Sequence, residues 1–376
     1  MRFSTINEIV IVLAALLASA CSIHELEPPA IGDCKNAELT GFDGLLIIAP
    51  HPDDEVLGFA GLASEYVRQG KSVRTVVVTD GDAYCTACTI WATGSVNGRT
   101  CDALTLSNLE TSAIDSLAEV RRAESTTAAT VLGLPAPEFL TYPDTGIAAA
   151  RMNIEAGNPD RYLNRSDFSS CASCGDCATG FGSGPETLLN ANTLTSSLDS
   201  LIGTTTANTL IATTHWLDSH PDHAALGAFV RERVAMTSGE RTIAFSVIHA
   251  NTSNGYASSE CWYPGPAAAD CGCVYEEGAQ HDEDWIASVS AHRVRPDWPQ
   301  VLPDDVDYGE PTQLCLGDAS RLAKPRAIDA FETQLGTVGR VPGILPESSK
   351  GLLDCSGYLR AFGRRTEVFV VKRFPE

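Results

Sequence analysis

"IIAPHPDDEVLGFAG", residues 47–61, is the stretch on which the reading of this chain turns. Leu45, Leu46, Ile47 and Ile48 form an unbroken apolar run of the kind that makes a strand buried on both faces. The run stops at His51-Pro52-Asp53-Asp54-Glu55 and then resumes with a different period. Val56, Phe59, Ala60, Ala63 and Val67 recur at helical spacing as far as Gly70, a good C-cap. One histidine and three acids therefore sit at a strand-to-helix turn, which is where open α/β sheets hold their ligands.

The sequence outside this stretch repeats the pattern. A second apolar run, "VRTVVVTDGD", ends in another acidic, glycine-bearing turn, with its strand expected at 73–79. Further strands are expected at 138–144, 209–215 and 242–250, and helices at 116–132, 186–201 and from Pro221 onward, where proline suits the first helical turn. Strands alternating with helices imply parallel βαβ units, so the expected fold is α/β, a Rossmann-like three-layer sandwich around a mostly parallel sheet. Three stretches break the rhythm, at about 82–115, 147–185 and 251–320. They hold ten of the thirteen cysteines, and we expect them to be disulfide-rich insertions.

The first 20 residues read as an export signal: Arg2, an apolar run, then Ala18-Ser19-Ala20 before Cys21. "LLASAC" also has the form of a lipobox, so the mature chain is expected either as a lipoprotein anchored through Cys21 or as a secreted or periplasmic protein. Setting Cys21 aside leaves an even number of cysteines, as an exported disulfide protein would have. Residues 21–42 read as a tether and 43–376 as a single α/β domain. A net charge of −22 argues against nucleic acid and anionic lipid headgroups as partners.

A second histidine cluster answers the first. "THWLDSHPDHAALG" places His215, Asp218, His220, Asp222 and His223 where another strand gives way to a helix. Two such turns on one edge of a parallel sheet can converge. Imidazole and carboxylate donors suit zinc, one ion per chain, though the same set would accept iron or cobalt. Pro52, with its fixed φ and missing N–H, stiffens the first turn. Asp53 and Asp54 are adjacent and must point differently, so one can face a metal and the other a substrate. Plain readings stand beside this one: an aspartate that only caps a helix, solvated histidines at a helix start, Arg121 paired along its own helix, Asp144 as a turn residue. "CASCGDC" lacks a fourth cysteine at iron–sulfur spacing and reads as disulfide-forming.

"APHPDDEVLG" resembles the A-H-P-D-D-E signature of the PIG-L/LmbE-like de-N-acetylases, and "HPDHAALG" their H-x-D-H element. "VVVTDGD", "RRAESTTAATVLG", "FLTYPDTG", "KPRAIDAFETQ" and "RRTEVFVV" are similar to weaker family features in the same order. The resemblance implies that His51, Asp54 and His223 hold zinc and that Asp53 is the general base. It gives His220 to the oxyanion or leaving amine, and Arg121 and Asp144 to the substrate. It implies a hydrolase that removes an N-acetyl group from an N-acetylglucosamine-type sugar or glycoconjugate outside the cytoplasm. An amidase on another N-acyl compound and an inactive surface glycan-binding lipoprotein are the alternatives. The chain departs from the family in three places. Asp218 stands two before His220, where some members have tyrosine; Thr145 separates Asp144 from Gly146; and the insertions imply a remodelled cleft.

Overall fold

A computed structural model describes residues 34–82, 95–96, 99–100, 117–163, 189–218, 220–248, 310–335 and 366–375. Its sheet has seven strands: β1 (Gly44–Ala49), β2 (Ser72–Thr79), β5 (Glu138–Tyr142), β6 (Thr209–Thr214), β7 (Arg241–Ser246), β8 (Glu310–Cys315) and β9 (Thr366–Phe374). Two short strands, β3 (Ser95–Val96) and β4 (Arg99–Thr100), pair only with each other. The order across the sheet is β5-β2-β1-β6-β7-β9-β8. The first five run parallel, and β9 and β8 add an antiparallel edge. β1 pairs with both β2 and β6, so the winding reverses at its side and the turns after β1 and β6 open into one crevice.

Both faces of the sheet are covered, which is why β1 is apolar throughout rather than alternating. Leu46 and Ile48 join Val76, Ile211, Ile243 and Phe245 on one face, packed under α4 (Gly146–Glu155), α5 (Ala191–Gly203) and α6 (Pro221–Met236). Leu45 and Ile47 point the other way, onto Phe59, Leu62 and Tyr66 of α2 (Asp54–Arg68). The opposite side of α2, through Val56, Leu57 and Ala60, meets Ala128 and Leu132 of α3 (Leu117–Val131) and Ala327 and Ile328 of α7 (Asp318–Ile328). A helix enclosed on both sides is buried all round: Asp54 to Tyr66 is covered without a break, its polar residues Asp54, Glu55, Ser64 and Glu65 included. The expected three-layer α/β sandwich with a mostly parallel sheet is what the chain forms.

Several expectations need correction. The stretch read as a tether is docked where it is described: Cys34 is disulfide-bonded to Cys315, and Asn36 exchanges two hydrogen bonds with the Cys315 backbone at 2.8 and 2.9 Å. The short helix α1 (Asn36–Thr40) then buries Leu39, whose carbonyl accepts from the Tyr66 hydroxyl at 2.8 Å. The stretch 147–185 begins with helix α4, whose Ile147, Ala150 and Asn153 are buried at helical spacing. The 251–320 stretch ends in β8 and the start of α7. Among the described residues there is one disulfide, and it fastens the N-terminal segment to edge strand β8 rather than stapling an insertion to itself. The remaining cysteines lie outside the described residues, as does His249. No helix among the described residues is long and apolar enough to cross a membrane.

Candidate metal centre and catalytic site

The turn after β1 begins with His51, and α2 starts at Asp54 with no side-chain capping bond from Asp53. An aspartate at an N-cap ordinarily has extended backbone and accepts from the first-turn amides. Asp53 instead has φ 129°, a backbone state that costs a non-glycine residue about 1–3 kcal/mol and persists only where its surroundings impose it. The Glu55 carboxylate takes the Asp53 N–H at 2.9 Å, and Ser125 donates to the other oxygen of Glu55. The capping explanation of Asp53 therefore fails. Its backbone amide is satisfied elsewhere, and its side chain stands clear of the helix amides.

The turn after β6 supplies the other half. Asp218 ends the crossing, His220 precedes α6, and Asp222 and His223 lie in its first turn. The helix approaches the strand end closely, because a Cβ on Gly227 would lie 2.6 Å from the Trp216 nitrogen. Thr214 fixes the same juncture by donating to the His223 carbonyl at 2.9 Å.

Across the crevice, three donor atoms meet. His51 Nδ1 lies 3.0 Å from Asp54 Oδ2, His223 Nε2 lies 3.1 Å from the same oxygen, and the two nitrogens are 3.2 Å apart. Three ligands held about 2.0–2.1 Å from a tetrahedral zinc ion stand roughly 3.3 Å from one another, so this donor set fits one ion. All three residues are buried. A ring nitrogen of His220 lies within 4.8 Å of those of His51 and His223, and its ring stands edge-on to His51 with centroids 4.9 Å apart.

Each imidazole has a carboxylate behind it. His51 Nε2 is 3.1 Å from Asp144 Oδ1 and 3.3 Å from Asp222 Oδ2. His223 Nδ1 is 3.4 Å from Asp218 Oδ2. Such partners fix which ring nitrogen faces a metal and raise its basicity. Asp218 is anchored by the N–H groups of His220 (2.9 Å) and Ile248 (2.8 Å), and Asp222 by that of Ala148 (2.7 Å). Spacing alone did not assign Asp218 and Asp222 these places. The signal available was the general one that a histidine holding a metal donates its second nitrogen to a carboxylate or carbonyl.

Arg121 and Asp144, the two residues expected to contact substrate, are both buried and partnered within the protein. Asp144 lies behind His51. Arg121, only 3 % exposed, gives its guanidinium to the carbonyls of Gly81 and Pro52 (2.6 Å for the latter) and lies 3.4 Å from Asp53 Oδ1. It bridges the turns after β2 and β1 from beneath. Gly81 has φ +63°, and a side chain there would overlap the guanidinium. His215 is buried, accepts from the Leu217 N–H at 3.0 Å and stacks on Trp216, apart from the donor set.

Charges in the site are sorted by these neighbours. Burial opposes charge on His51, but Asp144, Asp222 and Asp54 outweigh it and hold its pKa well above the ordinary histidine value. His223 is likewise raised to about 9 against burial, by Asp54 and Asp218. Asp54 is held low despite burial, by the two histidines. Asp53 is raised well above the usual carboxylate value by burial and then by the Asp54 charge, with Arg121 opposing. Burial takes His220 down to about 4 and Glu55 up to about 7.

The family model for PIG-L, GlcNAc-PI de-N-acetylase, matches residues 46–234, which contain every residue of this site. A 1D-myo-inositol 2-acetamido-2-deoxy-alpha-D-glucopyranoside deacetylase from Mycobacterium sp. (strain KMS) is 34% identical over 135 residues, 35% of this chain. That match spans only 38% of the relative's own length. Among solved structures, N,N'-diacetylchitobiose deacetylase from Pyrococcus horikoshii is 19% identical, covers 57% of this chain and 63% of its own, and has a TM-score of 0.32. A deacetylase triple mutant of the teicoplanin biosynthetic pathway is 15% identical over 88% of this chain and 98% of its own, with a TM-score of 0.42. The match over half the chain, carrying both histidine turns, makes this protein a member of the PIG-L de-N-acetylase family.

Proposed function

We propose that this chain is a zinc-dependent N-deacetylase that hydrolyses the acetamido group of an N-acetylglucosamine-type sugar or glycoconjugate. The observation that carries the proposal is the juxtaposition of a three-donor metal pocket with Asp53, an acid turned out of its capping role. His51, Asp54 and His223 would hold the ion, which when bound supplies Lewis-acid polarisation of the acetyl carbonyl and of water.

Asp53 takes the proton from the attacking water as its oxygen adds to the acetyl carbon. The environment suits this task, because a carboxylate whose pKa is raised is a stronger base. His220, neutral at pH 7, retains one ring N–H to donate to the oxyanion that develops on the carbonyl. A neutral imidazole is a poor proton source, so Asp53 returns its proton to the departing nitrogen as the C–N bond breaks. The products are acetate and the free amine. Arg121 holds Asp53 and the two acidic turns in register without touching the reacting atoms.

The sugar class is supported by the Mycobacterium relative, whose name specifies a 2-acetamido-2-deoxy-glucopyranoside. Export, with or without a lipid on Cys21, is supported by the signal-like first 20 residues. The test is acetate release from a panel of N-acetylglucosaminides by wild type and Asp53→Asn. Wild type is expected to release acetate. The variant should keep its metal and lose about 10²–10⁴-fold in rate, the contribution of a general base. Equal turnover by the two proteins would overturn the assignment of Asp53. No acetate release by metal-loaded wild type from any N-acetyl sugar would overturn the substrate class.

A further inference from the structure

The family model ends at residue 234, yet the turn that carries Asp53 is completed by residues from beyond that point. The Pro52 carbonyl, one peptide before Asp53, accepts from two sides: Arg121 Nη2 at 2.6 Å and Gln334 Nε2 at 3.3 Å. Gln334 lies on the short helix α8 (Glu332–Leu335) and is 2 % exposed. Its neighbour Thr333 donates through N–H and hydroxyl to Glu124 on α3, at 2.7 and 2.6 Å. Glu124 is three residues from Arg121 on the same helix. The two donors that converge on Pro52 are therefore tied to each other.

This arrangement defines the Asp53 backbone from both ends. The preceding peptide is pinned at its oxygen by Arg121 and Gln334 and at its nitrogen by Glu55. The Asp53 carbonyl accepts from the N–H groups of Val56 and Leu57, both at 2.8 Å. One turn on, Lys324 donates to the Leu57 carbonyl at 2.7 Å and pairs at 2.5 Å with Glu367. The Glu367 carboxylate in turn accepts from Gly61 and Leu62 at 2.8 Å each, an approach that a Cβ on Gly61 would block. With both flanking peptides fixed, the φ of 129° is imposed.

We propose that Gln334 is a positioning residue for Asp53: by sharing the Pro52 carbonyl with Arg121 it keeps the base out of its capping conformation and aimed at the reacting water. The proposal rests on the reading of Asp53 as general base. Gln334 itself touches neither metal nor substrate.

The test is Gln334→Met in the full mature chain, which removes the donor and keeps the volume, made in wild-type and Asp53→Asn backgrounds. Four quantities are read: kcat, KM, zinc per chain and the thermal midpoint. In the wild-type background kcat should fall about 10- to 100-fold, the usual result of displacing a reacting group by about an ångström. KM and zinc content should hold. In the Asp53→Asn background the same substitution should have almost no further effect, because residues that act as a unit are not additive. An equal fractional loss in both backgrounds, or a loss that tracks zinc content, would overturn the positioning role. So would unchanged kcat in the active enzyme. Should Gln334→Met not fold, Thr333→Val loosens the same helix while sparing the amide; a severalfold kcat loss confined to the Asp53 background is then expected, and its absence overturns the proposal. A folded, zinc-loaded wild type without turnover would instead overturn the functional reading, and this proposal with it.

Discussion

Replacing Asp218 by asparagine isolates what a carboxylate behind His223, a proposed metal ligand, contributes. The substitution preserves shape and removes one charge from a residue that is 5 % exposed. Asp218 Oδ1 accepts from the His220 N–H at 2.9 Å, while Oδ2 accepts from the Ile248 N–H at 2.8 Å and lies 3.4 Å from His223 Nδ1. Whichever way the new amide turns, its NH2 faces a backbone N–H, and one buried donor loses its acceptor. That costs about 1–3 kcal/mol of stability. Loss of the charge behind His223 should weaken metal binding by about 10- to 100-fold, or roughly 1.4–2.7 kcal/mol. The two effects are separable. Competition with a zinc chelator reads the affinity, and urea unfolding without added metal reads the stability. Unchanged zinc affinity in a variant destabilised as expected would refute the assignment of Asp218 as the partner of His223.

Three further expectations follow from the same geometry. Gly227→Ala should push α6 off the end of β6, costing about 1–3 kcal/mol by overpacking and lowering zinc affinity, since His223 rides on that helix; urea midpoints and chelator competition report both. Because Asp54 and Asp218 hold the His223 pKa near 9, and His51 is also raised, a metal entering below that pH displaces protons. Apparent zinc affinity should then rise with pH by roughly tenfold per unit for each proton displaced, with the His223 share of that rise ending above about 9, and a pH-independent affinity would contradict the charge assignment. Replacing Cys34 and Cys315 together by serine should cost about 2–5 kcal/mol in unfolding free energy and leave zinc stoichiometry unchanged, because the bond joins the segment before α1 to edge strand β8, away from the proposed metal ligands.

The parts legible in the sequence were those in which residue type and period agree. β1 and α2 announced themselves through an apolar run followed by helical spacing, and the histidines at 51, 220 and 223 could be placed because both turns end parallel strands. The direction in which a polar side chain faces was not legible. Arg121 and Asp144 carry the chemistry expected of substrate contacts; which protein groups they meet, the Pro52 carbonyl for one and His51 for the other, follows from the demand of buried polar groups for partners. β8 escaped notice because "EPTQLC" is polar and proline-bearing, as an edge strand tolerates. "KPRAIDAFETQ" marked the segment that carries Gln334, but the carbonyl it meets lies 282 residues away, a contact that the local pattern does not encode.

Whether His51, Asp54 and His223 form one metal centre is decided by metal content. Elemental analysis of residues 22–376, exported to an oxidising compartment and supplied with zinc, would be run on wild type beside His223→Ala. About one zinc per wild-type chain is expected, the stoichiometry of a single three-donor site, with loss of that zinc in the variant. Folded wild-type protein that takes up no metal, or a variant that retains a full equivalent, would contradict the assignment of His51, Asp54 and His223 as one metal centre.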